Sequence, residues 1–240
     1  MTLQGKTIFM SGGSRGIGLE IAKRCAADGA NIAIAAKTAS PHPKLSGTIY
    51  TASKEIEGLG GKALPIVCDI RNEEAVDNAI SSCVKQFGGI DICINNASAV
   101  SPTPTTLTPM KRYDLMNEVN ARGTFMLSQK CHPHLKKAEN PHIVNIAPPL
   151  DMDKRWFRNH TAYTMAKYGM SMCTLGMAEE FRKDGIAVNS LWPMTSIDTA
   201  AVRNILGGDS MAKMSRLPTI MADAMYELVT KPANGITGQF

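Results

Sequence analysis

Short apolar runs alternate with longer amphipathic stretches along the whole chain, and this alternation restricts the chain to few folds. The runs are rich in isoleucine and valine: KTIFMSG (6–12), NIAIAAK (31–37), ALPIVCD (63–69), IDICINNA (90–97), HIVNIA (142–147) and IAVNSLWP (186–193). Strands that are buried on both faces have this composition. Helix-length segments separate them, at roughly 16–28, 48–59, 72–87, 111–137 and 161–183. The order predicts an α/β fold with a doubly wound parallel sheet of the Rossmann type and helices on both faces.

The 240 residues are enough for one such domain, and we treat 1–240 as a single unit. The segment 194–216 has weak periodicity and contains Gly207 and Gly208, so we expect a mobile lid over the substrate. The last residues, NGITGQF, resemble the start of a strand. We therefore expect an incomplete C-terminal strand and a longer natural protein.

Composition excludes several kinds of protein. Basic residues number 26 and acidic residues 21, with no long basic run, so neither nucleic-acid nor membrane binding is indicated. No apolar stretch has the length of a membrane span. The six cysteines lack C-x-x-C spacing and no residue group has metal-ligand spacing, so we expect reduced thiols and no metal. These features predict a cytoplasmic protein, unless a C-terminal tail carries an organelle signal.

The octapeptide SGGSRGIG (11–18) follows the first predicted strand and opens the first predicted helix. Glycines permit a tight turn and close approach of a ligand to the backbone, and the N-terminus of the helix attracts a diphosphate. The alternative is a structural turn without a ligand. The predicted nucleotide-binding residues of this turn are Gly12, Ser14, Arg15, Gly16, Ile17 and Gly18.

The end of the second strand indicates which nucleotide is bound. An acidic residue there would bind a ribose 2′-hydroxyl and favour NAD, whereas this strand ends in Lys37. Lys37 and Arg15 together favour NADP (NADPH) over NAD, although both could be solvated surface charges. Asp69 closes the third strand and could accept a hydrogen bond from adenine, or could be an ordinary aspartate at the end of a strand.

Four motifs occur in one order: G-x-x-x-G-x-G at 12–18, NNAS at 95–98, EVNARGT at 118–124 and YTMAK at 163–167. In this order and spacing the chain resembles the short-chain dehydrogenases/reductases over essentially its whole length. Three further stretches, at 35–50, 156–171 and 191–201, resemble the hydroxysteroid dehydrogenase-like group of that family. That group is named for likeness to steroid enzymes, which does not establish a steroid substrate.

The resemblance implies an oxidoreductase that transfers a hydride between a nicotinamide and a carbonyl or alcohol. It implies that Tyr163 is the acid/base, that Lys167 binds the ribose and lowers the tyrosine pKa, and that Asn120 belongs to the catalytic set through a backbone kink. It also implies a homodimer or homotetramer that pairs through the long helices 111–137 and 161–183. Further implied cofactor contacts are Asp69, Ile70, Asn96, Ala97 and Pro193, with Asn95 beside them.

The chemistry of this pair can also be argued from the residues. Tyr163 and Lys167 are at positions i and i+4, so a helix places them on one face. A nearby ammonium favours the phenolate, and the tyrosine can then exchange a proton with an alkoxide or alcohol. Taken without the glycine turn, the pair would be read as two ordinary neighbours on a helix.

The serine that holds the substrate oxygen in this family is absent. Counting back from Tyr163 by the usual spacing of the family puts Leu150 at the position of this serine. Aligning on the strand IVNI instead puts Pro148 there, after Ala147. Thr161 could replace the hydroxyl. Loss of one preorganised donor costs about 100- to 1000-fold in rate, so two readings stay open: a slowed enzyme, or a nucleotide-binding regulator or scaffold. An enoyl reductase is disfavoured because that class spaces its tyrosine and lysine more widely.

The predicted substrate-contacting residues are Pro148, Trp156 and Met194. With Phe157 and Trp192 they suggest an apolar carbonyl or alcohol, such as a lipid-like or aromatic one. The alternative is that the same apolar side chains pack under the lid.

Overall fold

The computed structural model describes residues 1–43 and 45–240 and contains a six-stranded parallel sheet. The strand order is β3-β2-β1-β4-β5-β6, so the order reverses between β1 and β4. A crevice forms at such a reversal, outside the carboxyl ends of the strands. The strands are β1 Thr7–Ser11, β2 Asn31–Ala36, β3 Lys62–Val67, β4 Ile92–Asn95, β5 His142–Asn145 and β6 Ala187–Ser190.

Six of the α-helices in residues 1–43 and 45–240 pack on the two faces of this sheet, so the predicted single-domain doubly wound fold is confirmed. One face carries α1, α2 and α8, and the other carries α3, α5 and α6. The helices are α1 Gly16–Ala26, α2 Ile49–Glu57, α3 Glu73–Phe87, α4 Met110–Met116, α5 Gly123–Leu135, α6 Thr161–Glu180, α7 Gly208–Met214 and α8 Thr219–Val229.

The structure departs from the sequence-based prediction at several elements. The predicted helix 111–137 is interrupted by a π-helical segment, Asn117–Arg122, between α4 and α5. The sequence patterns did not predict α8, which packs beside α1 on one face of the sheet. β3 is an edge strand that is partly exposed, rather than buried on both faces, and it tolerates Pro65 because an edge strand need not donate every backbone hydrogen bond.

A buried polar network joins the carboxyl ends of the three strands on one side of the crevice. Asn95 Nδ2 donates to Asn145 Oδ1 at 2.8 Å and to Ser128 Oγ on α5 at 2.9 Å. Asn145 Nδ2 donates to Thr174 Oγ1 on α6 at 2.7 Å, and that hydroxyl pairs with Ser190 Oγ at 2.8 Å. Buried amides are costly unless they are paired, so this network fixes β4, β5 and β6 against α5 and α6.

The predicted lid segment forms a closed excursion. Arg216 N donates to Ser196 O at 3.0 Å, and Asp198 N donates to Arg216 O at 2.9 Å, so the two ends of the segment are joined. Between them lie the π-helical turn Val202–Leu206 and α7, which the weak periodicity did not reveal.

The C-terminal residues lie beside β6. Ser190 N donates to Gln239 O at 2.9 Å and Gly238 N donates to Val188 O at 2.8 Å, which is the hydrogen bonding of a neighbouring strand. Within residues 1–43 and 45–240, no helix combines the length and apolarity needed to cross a bilayer.

All six cysteines are free thiols, as predicted, and five of them are buried. Burial raises the pKa of Cys25 and of Cys83 to about 12, so these thiols stay protonated and unreactive at neutral pH.

Candidate active site

The glycine turn is built so that backbone, rather than side chains, faces the crevice. Gly12 and Gly16 have φ of 74° and 58°, values that favour glycine. A Cβ on Gly12 would lie 2.9 Å from Ala97 Cα, and one on Gly18 would overlap Gly12 O and approach Asn96 Nδ2 to 2.5 Å. The turn therefore allows α1 to begin close against the end of β4.

The N-terminus of α1 is suited to an anion. Its first turn contains no acidic residue, and the N-cap residue Arg15 makes no side-chain capping bond. The guanidinium of Arg15 turns outward and donates to Ser46 O and Gly47 O, both at 2.8 Å. It thereby ties the glycine turn to the loop 37–48, in which Lys44 lies outside the described residues.

A cavity of about 660 Å³ opens beside this helix N-terminus. Gly16 and Thr199 lie side by side in its wall, since a Cβ on Gly16 would be in van der Waals contact with the Thr199 methyl group, at 3.6 Å. Thr199 belongs to the predicted lid and to the stretch 191–201, but it was not identified from the sequence as a site residue. The helix N-terminus, the Arg15 side chain and the Thr199 hydroxyl fit the diphosphate of a dinucleotide. The acidic lining residues are paired with cations, Glu20 with Lys23 and both Asp198 and Asp209 with Arg203.

The end of β4 holds the turn in place. The Ser11 hydroxyl accepts from Asn96 N and Ala97 N, both at 3.2 Å. The side-chain amide of Asn96 donates to Gly12 O, so this residue braces the turn, while Asn95 is buried in the polar network below it. Two other predicted cofactor contacts, Ser14 and Ile70, are also buried.

Lys37 lies in a charged cluster at the end of β2. Its ammonium is 3.4 Å from Asp69 Oδ2, and the guanidinium of Arg71 binds the same carboxylate at distances of 2.7 to 3.1 Å. The hydrogen bonds from Arg71, aided by the charge of Lys37, lower the pKa of Asp69 to about 2. Arg71 was not identified from the sequence, and it adds a second positive group beside Lys37.

Asn120 lies inside the π-helical segment, fully buried. Its side chain pairs with the loop after β4: Asn120 Nδ2 donates to Ala99 O at 3.0 Å, and Ala99 N donates to Asn120 Oδ1 at 2.8 Å. The predicted kink is therefore present at this residue. A π-helical turn of this kind is often found at functional sites.

Tyr163 and Lys167 line a second cavity, of about 190 Å³. Lys167 Nζ donates to Ile146 O at 2.5 Å and lies 5.2 Å from the centre of the Trp192 ring. The cavity wall is mostly aromatic and apolar. Its lining residues are Pro148, Trp156, His160, Tyr163, Thr164, Lys167, Tyr168 and Trp192.

Burial controls the titration of both groups. It raises the pKa of Tyr163 to about 12 and lowers the pKa of Lys167 to about 7. The expectation that Lys167 lowers the pKa of Tyr163 is therefore wrong for this structure. The physical reason is that burial removes water from both groups and so disfavours both charges, and this desolvation dominates at Tyr163.

The residues that line this cavity show which of the two alignments gives the position of the missing serine. Pro148 lines the cavity and Leu150 does not, so the alignment on β5 is the better one. Ala147 is fully buried. Thr161 lies outside the lining, and its hydroxyl donates to Phe157 O at 3.1 Å, so it does not replace the serine.

Of the predicted substrate contacts, Pro148 and Trp156 line the cavity, whereas Met194 does not. Trp156 lines the cavity, and its indole N–H donates to Asp151 Oδ2 at 2.6 Å. Met194 is fully exposed and does not line the cavity, because the chain turns outward after the half-buried Pro193. His160, Thr164 and Tyr168 line it without having been identified from the sequence. The spacing of His160 from Tyr163 and Lys167, at i, i+3 and i+7, could have indicated it.

A crevice at the reversal of the strand order, a glycine turn and a partly buried tyrosine beside a buried lysine define a dinucleotide-dependent oxidoreductase fold. The family model described as short chain dehydrogenase matches residues 6–207, and the chain belongs to that family. The chain is 58% identical over 238 residues to hydroxysteroid dehydrogenase-like protein 2 of Danio rerio. The resemblance to the hydroxysteroid dehydrogenase-like group is thereby confirmed.

Solved structures agree with this assignment. A crystal structure of a short chain dehydrogenase from Mycobacterium thermoresistibile is 57% identical, with a TM-score of 0.93 over 99% of this chain and 84% of that one. A short chain dehydrogenase from Burkholderia cenocepacia in complex with NADP is 29% identical, with a TM-score of 0.84 over 100% of this chain and 96% of that one. The match to the Danio rerio protein covers 99% of this chain but 57% of that protein's length.

Proposed function

We propose that the chain is an NADP-dependent oxidoreductase that interconverts an apolar carbonyl compound and its alcohol. The observation that carries the proposal is that Tyr163 and Lys167 share one cavity just after the carboxyl end of β5, on the same edge of the parallel sheet as the glycine turn after β1. The bound dinucleotide would supply or accept the hydride at the substrate carbon. The residues of the chain would position both molecules and move the proton.

In the reductive direction Tyr163 gives its phenolic proton to the carbonyl oxygen as the alcohol forms, and in the oxidative direction it takes that proton back. Lys167 assists when it is protonated, because its charge then stabilises the phenolate. Asn120 holds the loop after β4 through its paired hydrogen bonds with Ala99, and so fixes the floor of the site. Trp156, Trp192 and Pro148 provide the apolar wall that selects the substrate.

The alternative is a nucleotide-binding regulator or scaffold with little turnover. The replacement of the substrate-binding serine by Ala147 and Pro148 favours it. A protein that only bound nucleotide would have no use for a buried lysine beside Tyr163, since burying a lysine is energetically costly. The retained pair supports the enzyme.

Cofactor binding can be measured without a known substrate. The only two tryptophans, Trp156 and Trp192, both line the proposed active-site cavity, so energy transfer from tryptophan to NADPH reports binding there. Gly18→Ala should weaken NADPH binding by about 10- to 100-fold, because an overpacked turn costs about 1–3 kcal/mol. The added Cβ would overlap Gly12 O.

The matched control is Gly89→Ala, where a Cβ meets nothing within 4 Å. It should bind NADPH like the unmodified chain. Equal affinity in the Gly18 variant, at unchanged thermal stability, would contradict binding at the glycine turn. Energy transfer should be followed by NADPH oxidation with a panel of aldehydes, ketones and acyl-chain carbonyls, where consumption supports the enzyme and its complete absence favours the regulator.

Cofactor preference rests on the positive groups beside β2. Replacing Arg15 and Lys37 together with alanine should weaken NADPH binding by about 10- to 100-fold, since a charged hydrogen bond contributes about 1.5–3 kcal/mol. NADH lacks the 2′-phosphate and should lose much less affinity. Titration of both nucleotides by tryptophan energy transfer measures the difference. Equal losses of NADPH and NADH affinity would contradict the NADP assignment. Replacement of the exposed pair Lys54 and Arg182 with alanine provides the control.

We also propose a homodimer or homotetramer that pairs through α5 and α6. Phe125 on α5 and Met165, Met172 and Leu175 on α6 are exposed apolar side chains on adjacent helices. Such patches mark interaction surfaces. Met172→Glu should therefore yield monomers in sedimentation experiments, whereas Leu59→Glu, at an exposed apolar residue after α2, should not change the assembly. A monomeric unmodified chain would contradict the proposal.

A further inference from the structure

We propose that Nε2 of His160 binds the reacting oxygen of the substrate in the place of the missing serine. This inference rests on the proposed function of the cavity. It adds a substrate-binding residue that the sequence motifs do not contain, and it explains how the site can work with proline at position 148.

The position of His160 supports this role. It is the N-cap residue of α6, one turn before Tyr163 and on the same face of the helix as Tyr163 and Lys167. All three side chains line the cavity of about 190 Å³ that Pro148 also lines. His160 thus lies on the wall where the family's serine would act.

A chain of hydrogen bonds fixes the state of the imidazole. The Thr164 hydroxyl donates its single hydrogen to Trp156 O, because a carbonyl oxygen can only accept. Thr164 Oγ1 must therefore accept from His160 Nδ1, which lies 2.9 Å away. The neutral imidazole then carries its hydrogen on Nδ1 and leaves Nε2 as an acceptor.

Most other polar groups of the cavity are already engaged. Tyr168 donates to Asp151 O at 2.5 Å, and Lys167 donates to Ile146 O at 2.5 Å. Within residues 1–43 and 45–240, no hydrogen-bond partner is found for His160 Nε2 or for Tyr163 Oη. His160 Nε2 and Tyr163 Oη are therefore available to bind a substrate oxygen.

Nε2 must donate to the substrate oxygen, as the serine does, because Tyr163 alone exchanges the proton of the alcohol. The imidazolium form carries hydrogen on both ring nitrogens, so it donates from Nε2 to that oxygen in both directions of the reaction. Nδ1 keeps its hydrogen in both states, so the bond to Thr164 holds the ring in place throughout. The titratable groups around the ring are Tyr163, Lys167 and Tyr168 on α6, with Asp151 behind Trp156.

Two isosteric replacements separate the nitrogens. His160→Asn keeps an amide near the position of Nδ1 but has no atom at Nε2, and it should lower kcat/KM for carbonyl reduction by about 100- to 1000-fold. His160→Gln places an amide N–H near the position of Nε2 and should lose less than about 10-fold. The control His134→Asn, on α5 outside the cavity, should behave like the unmodified chain.

A second-site rescue tests whether His160 does the work of the serine. Pro148→Ser should raise the activity of His160→Asn by a much larger factor than it raises that of the unmodified chain, because the two groups contact the same oxygen. Equal gains in both backgrounds would overturn the proposal. So would full activity of His160→Asn in an otherwise active enzyme.

The tautomer can be measured without turnover. Two-dimensional 15N spectra of histidine-labelled protein, assigned with His160→Gln, should show hydrogen on Nδ1 in the free chain and on both nitrogens when cyclohexanol is added with NADP. Hydrogen on Nε2 alone, or an Nε2 signal unmoved by cyclohexanol and NADP, would overturn the proposal whatever the turnover. If no carbonyl is reduced but these spectra are as expected, the proposed function fails while the assignment of His160 as an oxygen-binding residue stands.

Discussion

Replacing Tyr163 with phenylalanine should lower kcat/KM for NADPH-dependent carbonyl reduction by about 100- to 10000-fold, the usual contribution of a positioned acid or base. Tyr163 is the one acidic hydroxyl on α6 that lines the cavity without a partner among the described residues. The variant keeps the ring and the packing, so NADPH binding and thermal stability should hardly change. Stopped-flow measurement of NADPH oxidation gives the turnover, and tryptophan energy transfer gives the affinity for NADPH.

The matched control is Tyr50→Phe, which removes the hydroxyl of an exposed tyrosine on α2. It should leave both binding and turnover unchanged. If Tyr163→Phe reduced the carbonyl at the unmodified rate, the proton would have to come from another group, and the assignment of Tyr163 would be wrong.

Replacing Lys167 with methionine should abolish most activity and at the same time stabilise the folded chain at neutral pH. Burial lowers the pKa of Lys167 from 10.5 to about 7, so the folded state disfavours the protonated lysine at neutral pH relative to the unfolded state. A difference of this size corresponds to a cost on the order of 2–4 kcal/mol at pH 7. A residue that reduces stability and is retained is expected at a functional site.

The pH dependence of this effect has a definite sign. Between pH 7 and 10.5 the unfolded chain binds more protons at Lys167 than the folded chain does, so the free energy of unfolding should rise with pH through this residue. Urea unfolding at pH 7 and pH 9 should therefore show the stability advantage of Lys167→Met shrinking. The exposed Lys54→Met is the control. A variant less stable than the unmodified chain at pH 7 would contradict the account.

The fold was predictable because its signals are local. Buried parallel strands have a composition of their own, and amphipathic helices between them require the doubly wound sheet. The helix α8 was missed although its buried residues Met221, Ala222, Met225 and Val229 have the spacing of one helical face, so its signal was present in the sequence. The kink at Asn120 was expected from the family resemblance. The π-helical segment Asn117–Arg122 was not predicted as a separate element, because a π-helical turn has no sequence signature of its own.

The candidate site was only partly predictable. The glycine turn and the Tyr163–Lys167 pair depend on short spacings, which a sequence displays. Thr199, Arg71 and His160 reach the site through tertiary packing of the lid, the end of β3 and the start of α6, and only His160 had a helical spacing that could reveal it. The pKa of Tyr163 was predicted in the wrong direction because desolvation depends on burial, which spacing does not report.

The central claim is that hydride passes between a nicotinamide and a carbonyl in this chain. The most direct test is to incubate the full chain with NADPH deuterated at C4 and with the carbonyls of the panel, and to analyse the products by mass spectrometry. The account predicts an alcohol carrying one deuterium on the former carbonyl carbon, formed by the unmodified chain and not by Tyr163→Phe. Binding of NADPH without any labelled alcohol would contradict it and favour a nucleotide-binding regulator.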